Sequence, residues 1–185
     1  MVHAIKASGS KPVFAELDMR SASPGLSQLE AISEHFDAAV IPNHFGLISS
    51  CNRSGLVNHF LIEDAAQSFT SSYISENNAD VTILSFYPTK IVNGIDGGVL
   101  LTDNEEIFMK ASKLVSYHDQ DNFEEKTRYN LKLNNINAAY ALGTLDHLEE
   151  IEKSMNLSYK ILNTALQQKN MEVLRPEKNE LPTKL

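Results

Sequence analysis

The stretch Val81-Thr-Ile-Leu-Ser-Phe-Tyr-Pro-Thr-Lys90-Ile-Val-Asn-Gly94-Ile-Asp-Gly97-Gly98-Val-Leu-Leu-Thr102 decides the fold of this chain. A compact apolar run, Val81 to Phe86, stops at a proline, and a second one, Val99 to Leu101, begins after three glycines. Short apolar runs bounded by Pro and Gly read as buried strands, and the intervening segment as a turn at a strand end. That turn delivers one amine, Lys90. On position alone the amine is either a solvated turn lysine or a nucleophile held against a carbonyl and partly removed from water.

Working outward, Asp103 and Glu106 predict the cap of a helix whose Ile107, Ala111, Leu114 and Val115 form one stripe. The polar segment from His118 to Arg128 reads as an exposed loop, and a long helical pattern runs from Asn134 to about Leu166 with a break near Gly143 or Glu150. Upstream, Lys11 to Leu17 reads as a short strand. A helix is predicted from Leu26, with Ser27 and Glu30 as a capping box and Leu29, Ile32 and Phe36 on its apolar face. Ala38 to Pro42 and Phe60 to Ile62 read as buried strands, and the polar Gly46 to Asn58 has room for a short helix.

Strands alternating with helices predict a three-layer α/β/α architecture around a mainly parallel sheet, with ligands at the carboxyl ends of the strands. Asn43 to Gly46, Glu63 to Gln67 and Ser85 to Lys90 are therefore expected to converge. The expected organisation is a partial large domain over 1–133, a long helical segment over 134–170 and an irregular tail over 171–185.

Composition narrows the partners. With 185 residues the chain suits one globular domain with a core, and its net charge of -8 argues against nucleic acid. Cys51 is the only cysteine, so an intramolecular disulfide and a cysteine-rich metal site are excluded. The opening residues lack the apolar core of a signal peptide and no run approaches the roughly 20 residues of a membrane span, so a cytoplasmic protein is expected.

Glu63 to Gln67 follows the Phe60 to Ile62 run and puts Asp64 at a strand end, where it is open to three readings: a helix cap, a metal ligand or the partner of a cationic ring. Beside Lys90 the third gains weight. A pyridoxal phosphate site needs an amine for the cofactor's carbonyl, an acid for its ring nitrogen and donors for its phosphate. Ser85, five residues before Lys90, is placed to be one such donor. Other chemistries fit less well. Gly94-x-x-Gly97-Gly98 lacks the dinucleotide-binding spacing, a Ser85–Lys90 pair has no oxyanion hole in view, and His118, Asp119 and Asp121 are more simply a polar loop than a metal site.

Four motifs in order, Ile-Glu-Asp-Ala-Ala-Gln ending at Gln67, Ser-Phe-Tyr-Pro-Thr-Lys ending at Lys90, Asp96-Gly-Gly-Val-Leu-Leu-Thr102, and Tyr129-Asn-Leu-Lys-Leu-Asn-Asn-Ile-Asn-Ala-Ala139, resemble those of the DegT/DnrJ/EryC1/StrS sugar aminotransferases. The resemblance runs from about His3 to about Leu166 and implies a pyridoxal-phosphate transferase of fold type I. It implies Lys90 as the Schiff-base lysine and proton shuttle, Asp64 on the pyridine nitrogen, Gln67 beside the ring and Ser85 on the phosphate. It further implies that Asn130 reaches the phosphate of a neighbouring subunit, making a homodimer with shared sites. Asn43-His44-Phe45-Gly46 resembles a histidine-containing turn of the family.

The implied activity is transfer of an amino group, with glutamate the expected donor, to a nucleotide-linked keto-sugar in polysaccharide or other nucleotide-sugar metabolism. Lysine at position 90 points to the transaminases rather than the dehydratase branch, which carries histidine there. Lys132 stands where the family usually has arginine, and Asn135 and Asn137 where an acidic residue and a glutamine are common. The family's amino-terminal phosphate-binding turn and stacking aromatic, and its carboxy-terminal small domain, are expected to lie outside this stretch, leaving apolar surface open. The alternative from a different class is a catalytically inactive remnant or interaction module that keeps the scaffold.

Overall fold

The computed structural model describes residues 1–49, 51, 55–71, 79–115, 129–171 and 181–182. Its centre is a four-stranded sheet of β1 (Ala38–Pro42), β2 (Phe60–Asp64), β3 (Val81–Ser85) and β4 (Gly98–Leu101), in that spatial order. β1, β2 and β3 are parallel and β4 returns antiparallel to β3, so the sheet is mainly parallel, as expected. Pro42 pairs with Asp64 and Asp64 with Ile83, which brings the carboxyl ends of the three parallel strands to one edge.

Alternation along the strands sorts the side chains by face. Ala39, Ile41 and Leu61 point to one face and are buried with Leu29 and Leu56. Full burial of such a side chain is worth roughly 1.5–3 kcal/mol, so this cluster is a principal hold on β1 and β2. The other face is less covered: Phe60, Ile83 and Leu100 keep 37%, 39% and 42% of their surface exposed.

Among the described residues, five α-helices accompany the sheet: α1 (Val2–Ala7), α2 (Leu26–Glu30), α3 (Glu105–Val115), α4 (Asn135–Leu145) and α5 (Leu148–Gln167). The Asn134 side chain caps α4 by accepting from the Asn137 N–H. The long helical pattern breaks at Asp146 and His147, between the two positions named from the sequence. Near that break, Ala141 and Leu148 are buried with Phe86 and Val92 in a second cluster, which seats the α4–α5 joint against the Lys90 segment.

Several local expectations fail. Lys11 to Leu17 forms no strand: no described strand pairs with it, and Val13, Phe14 and Leu17 stay exposed. A strand exists only by pairing, and here the backbone closes on itself just afterwards, at the Asp18–Ser23 bridge. The helix at Leu26 is one short turn with Gly25 at its cap, so Ser27 lies inside it and makes no capping box; its hydroxyl donates to Gln28 instead. Ile32 and Phe36 flank a separate 3-10 turn, Ser33–His35. α3 is capped by Asn104, whose Oδ1 accepts from the N–H groups of Glu106 and Ile107, and not by Asp103. Between 46 and 58 the described residues hold no α-helix. The loop read at His118 to Arg128, with its metal-site alternative, lies outside the described residues, as does most of the tail. Among the described residues no helix is long and apolar enough to cross a membrane, and no group of His, Cys, Asp and Glu could hold a metal ion.

Candidate active site

The three strand ends expected to converge do so. At the end of β1, Asn43 is buried to 1% exposure; its Nδ2 donates to Glu63 Oε1 at 2.7 Å, and its Oδ1 accepts from the Ser49 N–H at 2.9 Å. The Phe45 N–H donates to Gln67 Oε1 at 3.2 Å. β1 and β2 are thus tied side chain to side chain just past their pairing. Phe45 holds φ +59, a conformation rare for a residue with a Cβ.

After β2, the chain turns over Ala65 to Ser68, and Asp64 Oδ1 accepts from the Ala66 N–H at 3.1 Å. This bond uses one carboxylate oxygen to hold a turn; no helix follows it, so Asp64 caps none, and the second oxygen is left over. After β3, the Ser85 hydroxyl accepts from the Tyr87 N–H at 3.3 Å, and the Lys90 N–H donates to the Tyr87 carbonyl at 2.9 Å. Lys90 is half-buried at the end of that turn.

The turns after β2 and β3 enclose a cleft in which Gln67, Ser85 and Lys90 meet, together with Phe69, Thr89 and Ile91. Its cavity volume is about 20 Å³, space for about one water, so these residues supply part of the wall of a ring-sized site. Phe69 and Thr89 were not singled out from the sequence; Thr89 had a signal in its position next to Lys90, whereas Phe69 had none.

Asp64 is on the neighbouring strand end but does not line the cleft, and Asn130 lies away from it on the exposed segment before α4. Of the five residues singled out, the structure therefore gathers three in one cleft, sets Asp64 beside them and leaves Asn130 apart. Gly98 lets β4 come close: a Cβ there would sit 2.4 Å from the Leu84 carbonyl oxygen.

A lysine, a serine and a glutamine lining one cleft, with an aspartate on the adjoining strand end, fit the residue types that pyridoxal phosphate requires. A model of the DegT/DnrJ/EryC1/StrS aminotransferase family matches residues 1–183, and the chain belongs to that family. The spore coat polysaccharide biosynthesis protein SpsC of Bacillus subtilis is 30% identical over 183 residues, which cover 86% of this chain and 46% of SpsC. The UDP-2-acetamido-2-deoxy-3-oxo-D-glucuronate aminotransferase of Pseudomonas aeruginosa is 32% identical over 155 residues, 77% of this chain and 42% of that enzyme. Among solved structures, NtdA from Bacillus subtilis with bound cofactor PMP superposes with a TM-score of 0.80 at 21% identity, over 98% of this chain and 45% of NtdA. The chain spans about half the length of the curated relatives it matches. The fold is that of the fold type I transferases, and the family is one of pyridoxal-phosphate-dependent sugar aminotransferases.

Proposed function

We propose that this chain carries the lysine-bearing part of a nucleotide-sugar aminotransferase site, moving an amino group from an amino-acid donor, glutamate by expectation, to a nucleotide-linked keto-sugar. The observation that carries this reading is the meeting of Lys90, Ser85 and Gln67 in one cleft at the carboxyl ends of parallel strands. The P. aeruginosa relative, an aminotransferase of a UDP-linked oxo-sugar, supports the substrate class.

Pyridoxal phosphate, when bound, supplies an electron sink for bond breaking at the donor's α-carbon. The chain's residues do the rest. Lys90 Nζ is the amine that would hold the cofactor at its carbonyl carbon and that would carry the proton between donor and acceptor carbons. The Asp64 carboxylate oxygen left over from the Ala66 bond is the one that would keep a proton on the ring nitrogen. The Ser85 hydroxyl, held by the Tyr87 N–H on its lone pair, keeps its own hydrogen for a phosphate oxygen. Gln67, whose Oε1 accepts from the Phe45 N–H, is the residue that would stand beside the ring. Asn130, exposed ahead of α4, is the residue offered to the phosphate of a second subunit, which makes the working unit a homodimer.

The test is chemical. Pyridoxal phosphate is added to the purified chain, the visible band is followed, and the mixture is reduced with borohydride and digested. A phosphopyridoxyl group on the peptide holding Lys90, lost in Lys90→Ala, is the expected result. No band at saturating cofactor, or label spread over surface lysines, sinks the reading and leaves the inactive scaffold in its place.

A further inference from the structure

The two turns that form the cleft are each gripped from outside by the same helical arm. Thr144, near the end of α4, donates its hydroxyl to the Asn93 carbonyl at 2.8 Å, with the Tyr140 carbonyl as a weaker alternative at 3.2 Å. Asn93 lies three residues after Lys90, in a segment closed by the Gly94 N–H to the Phe86 carbonyl at 2.8 Å. The fit there is tight: a Cβ on Gly94 would come within 2.9 Å of Phe86 Cβ and 3.1 Å of Ala141 Cβ. On α5, Glu152 receives both the N–H and the hydroxyl of Ser71, at 2.6 and 2.8 Å, one on each carboxylate oxygen. Ser71 lies four residues after Gln67. Leu148 and Glu152 stand one helical turn apart, so a single face of α5 supplies both the buried anchor and the polar grip.

We propose that α4 and α5 act as a two-point clamp on the candidate site, with Thr144 the positioning residue of the Lys90 turn and Glu152 that of the Gln67 turn. The clamp rests on the reading of Lys90 given above, since positioning matters only where Lys90 has work to do. Neither residue lines the cleft; Thr144 acts through the Asn93 carbonyl and Glu152 through the Ser71 N–H and hydroxyl. The physical logic is that strand ends leave the sheet's ladder, so a turn beyond them holds its side chains in place only if something outside the sheet binds it. Thr144 and Glu152 bind one turn each, and Phe69 and Ile91, one from each turn, pack on the cluster that contains Ala141 and Leu148.

The experiment compares Thr144→Val, Thr144→Ser, Glu152→Ala and wild type, all as the full chain. Amide hydrogen exchange is read first, without cofactor. Loss of one neutral hydrogen bond is worth about fivefold in a local opening equilibrium and loss of charge-assisted bonds about tenfold or more. Exchange over 86–98 is expected to quicken about fivefold in Thr144→Val and to return to the wild-type rate in Thr144→Ser. Exchange over 65–71 is expected to quicken about tenfold in Glu152→Ala, and β1 with β2 is expected to keep its rate in every variant. Borohydride trapping then measures how fast pyridoxal phosphate labels Lys90, with slower labelling in Thr144→Val and rescue in Thr144→Ser. Faster exchange throughout the sheet, or failure of serine to rescue, assigns these residues to general stability and overturns the clamp. If wild type leaves Lys90 unlabelled the functional reading fails, while the exchange pattern still decides whether the arm grips the turns.

Discussion

Asn43→Ala removes the bond that joins the ends of β1 and β2, and the structure sets the size of the effect. The wild-type amide gives one hydrogen to Glu63 and accepts one from the Ser49 N–H, with the residue 1% exposed. A hydrogen bond to a charged group contributes about 1.5–3 kcal/mol, and a buried N–H left without its acceptor costs about 1–3 kcal/mol. Glu63 is only half-buried and can turn toward water, so the low end of both ranges applies and the expected loss is about 2.5 kcal/mol. With a urea slope of about 2 kcal/mol per M for a chain of this size, the midpoint falls by about 1.2 M. The assay is urea unfolding of the full chain followed by far-ultraviolet circular dichroism. Asn43→Asp sharpens it by setting a second carboxylate against Glu63, so that variant is expected to be weaker at pH 8 than at pH 5, where repulsion is relieved. A midpoint within about 0.3 M of wild type at unchanged slope would refute the claim that this amide ties the strand ends.

Other perturbations test separate parts of the molecule. Gly98→Ala places a methyl group 2.4 Å from the Leu84 carbonyl oxygen, so thermal unfolding is expected to show a loss of about 1–3 kcal/mol, and an unchanged melting temperature would mean that β4 pairs less closely than described. Leu56→Ala, at 1% exposure in the cluster under β1 and β2, is expected to lose about 2–5 kcal/mol in the same measurement. Burial, then the charges of Glu63 and Glu30, push the Cys51 thiol up from 9.0 to about 11. Its alkylation at pH 8 is therefore expected to run about 100-fold slower than that of a thiol of ordinary acidity, with a midpoint near 11 that falls in Glu63→Gln. Because the folded state holds this proton more tightly than the unfolded chain, the stability it lends is complete below pH 9 and is lost as pH rises to about 11.

Much of the sheet was legible because its strands are short apolar runs with punctuation at both ends. Ala38 to Pro42 matches β1 residue for residue, and the other three strands agree to within two residues. Helix ends were less legible. Asn104 and Asp103 are equally good caps as residue types, and only the path of the backbone chose between them. The capping pattern at Ser27 and Glu30 was outvoted by the chain entering its helix two residues earlier, at Gly25. Lys11 to Leu17 has a strand's composition, but composition supplies no pairing partner.

For the candidate site, the sequence by itself determined the chemical inventory: a lysine, a serine, a glutamine and an aspartate, each just after or at the end of an apolar run, in an order that marks the family. Strand direction then dictated that residues following parallel strands share an edge. Tertiary structure alone decided which of them meet, bringing Gln67, Ser85 and Lys90 into one cleft while Asp64 turned toward its own loop and Asn130 stayed outside. It alone also placed Thr144 on Asn93 and Glu152 on Ser71, contacts across 51 and 81 residues of chain. The physical reason is range. Hydrophobic patterning and turn chemistry act over a few neighbouring residues and are written in local sequence, whereas a hydrogen bond between distant segments depends on how helices and sheet pack.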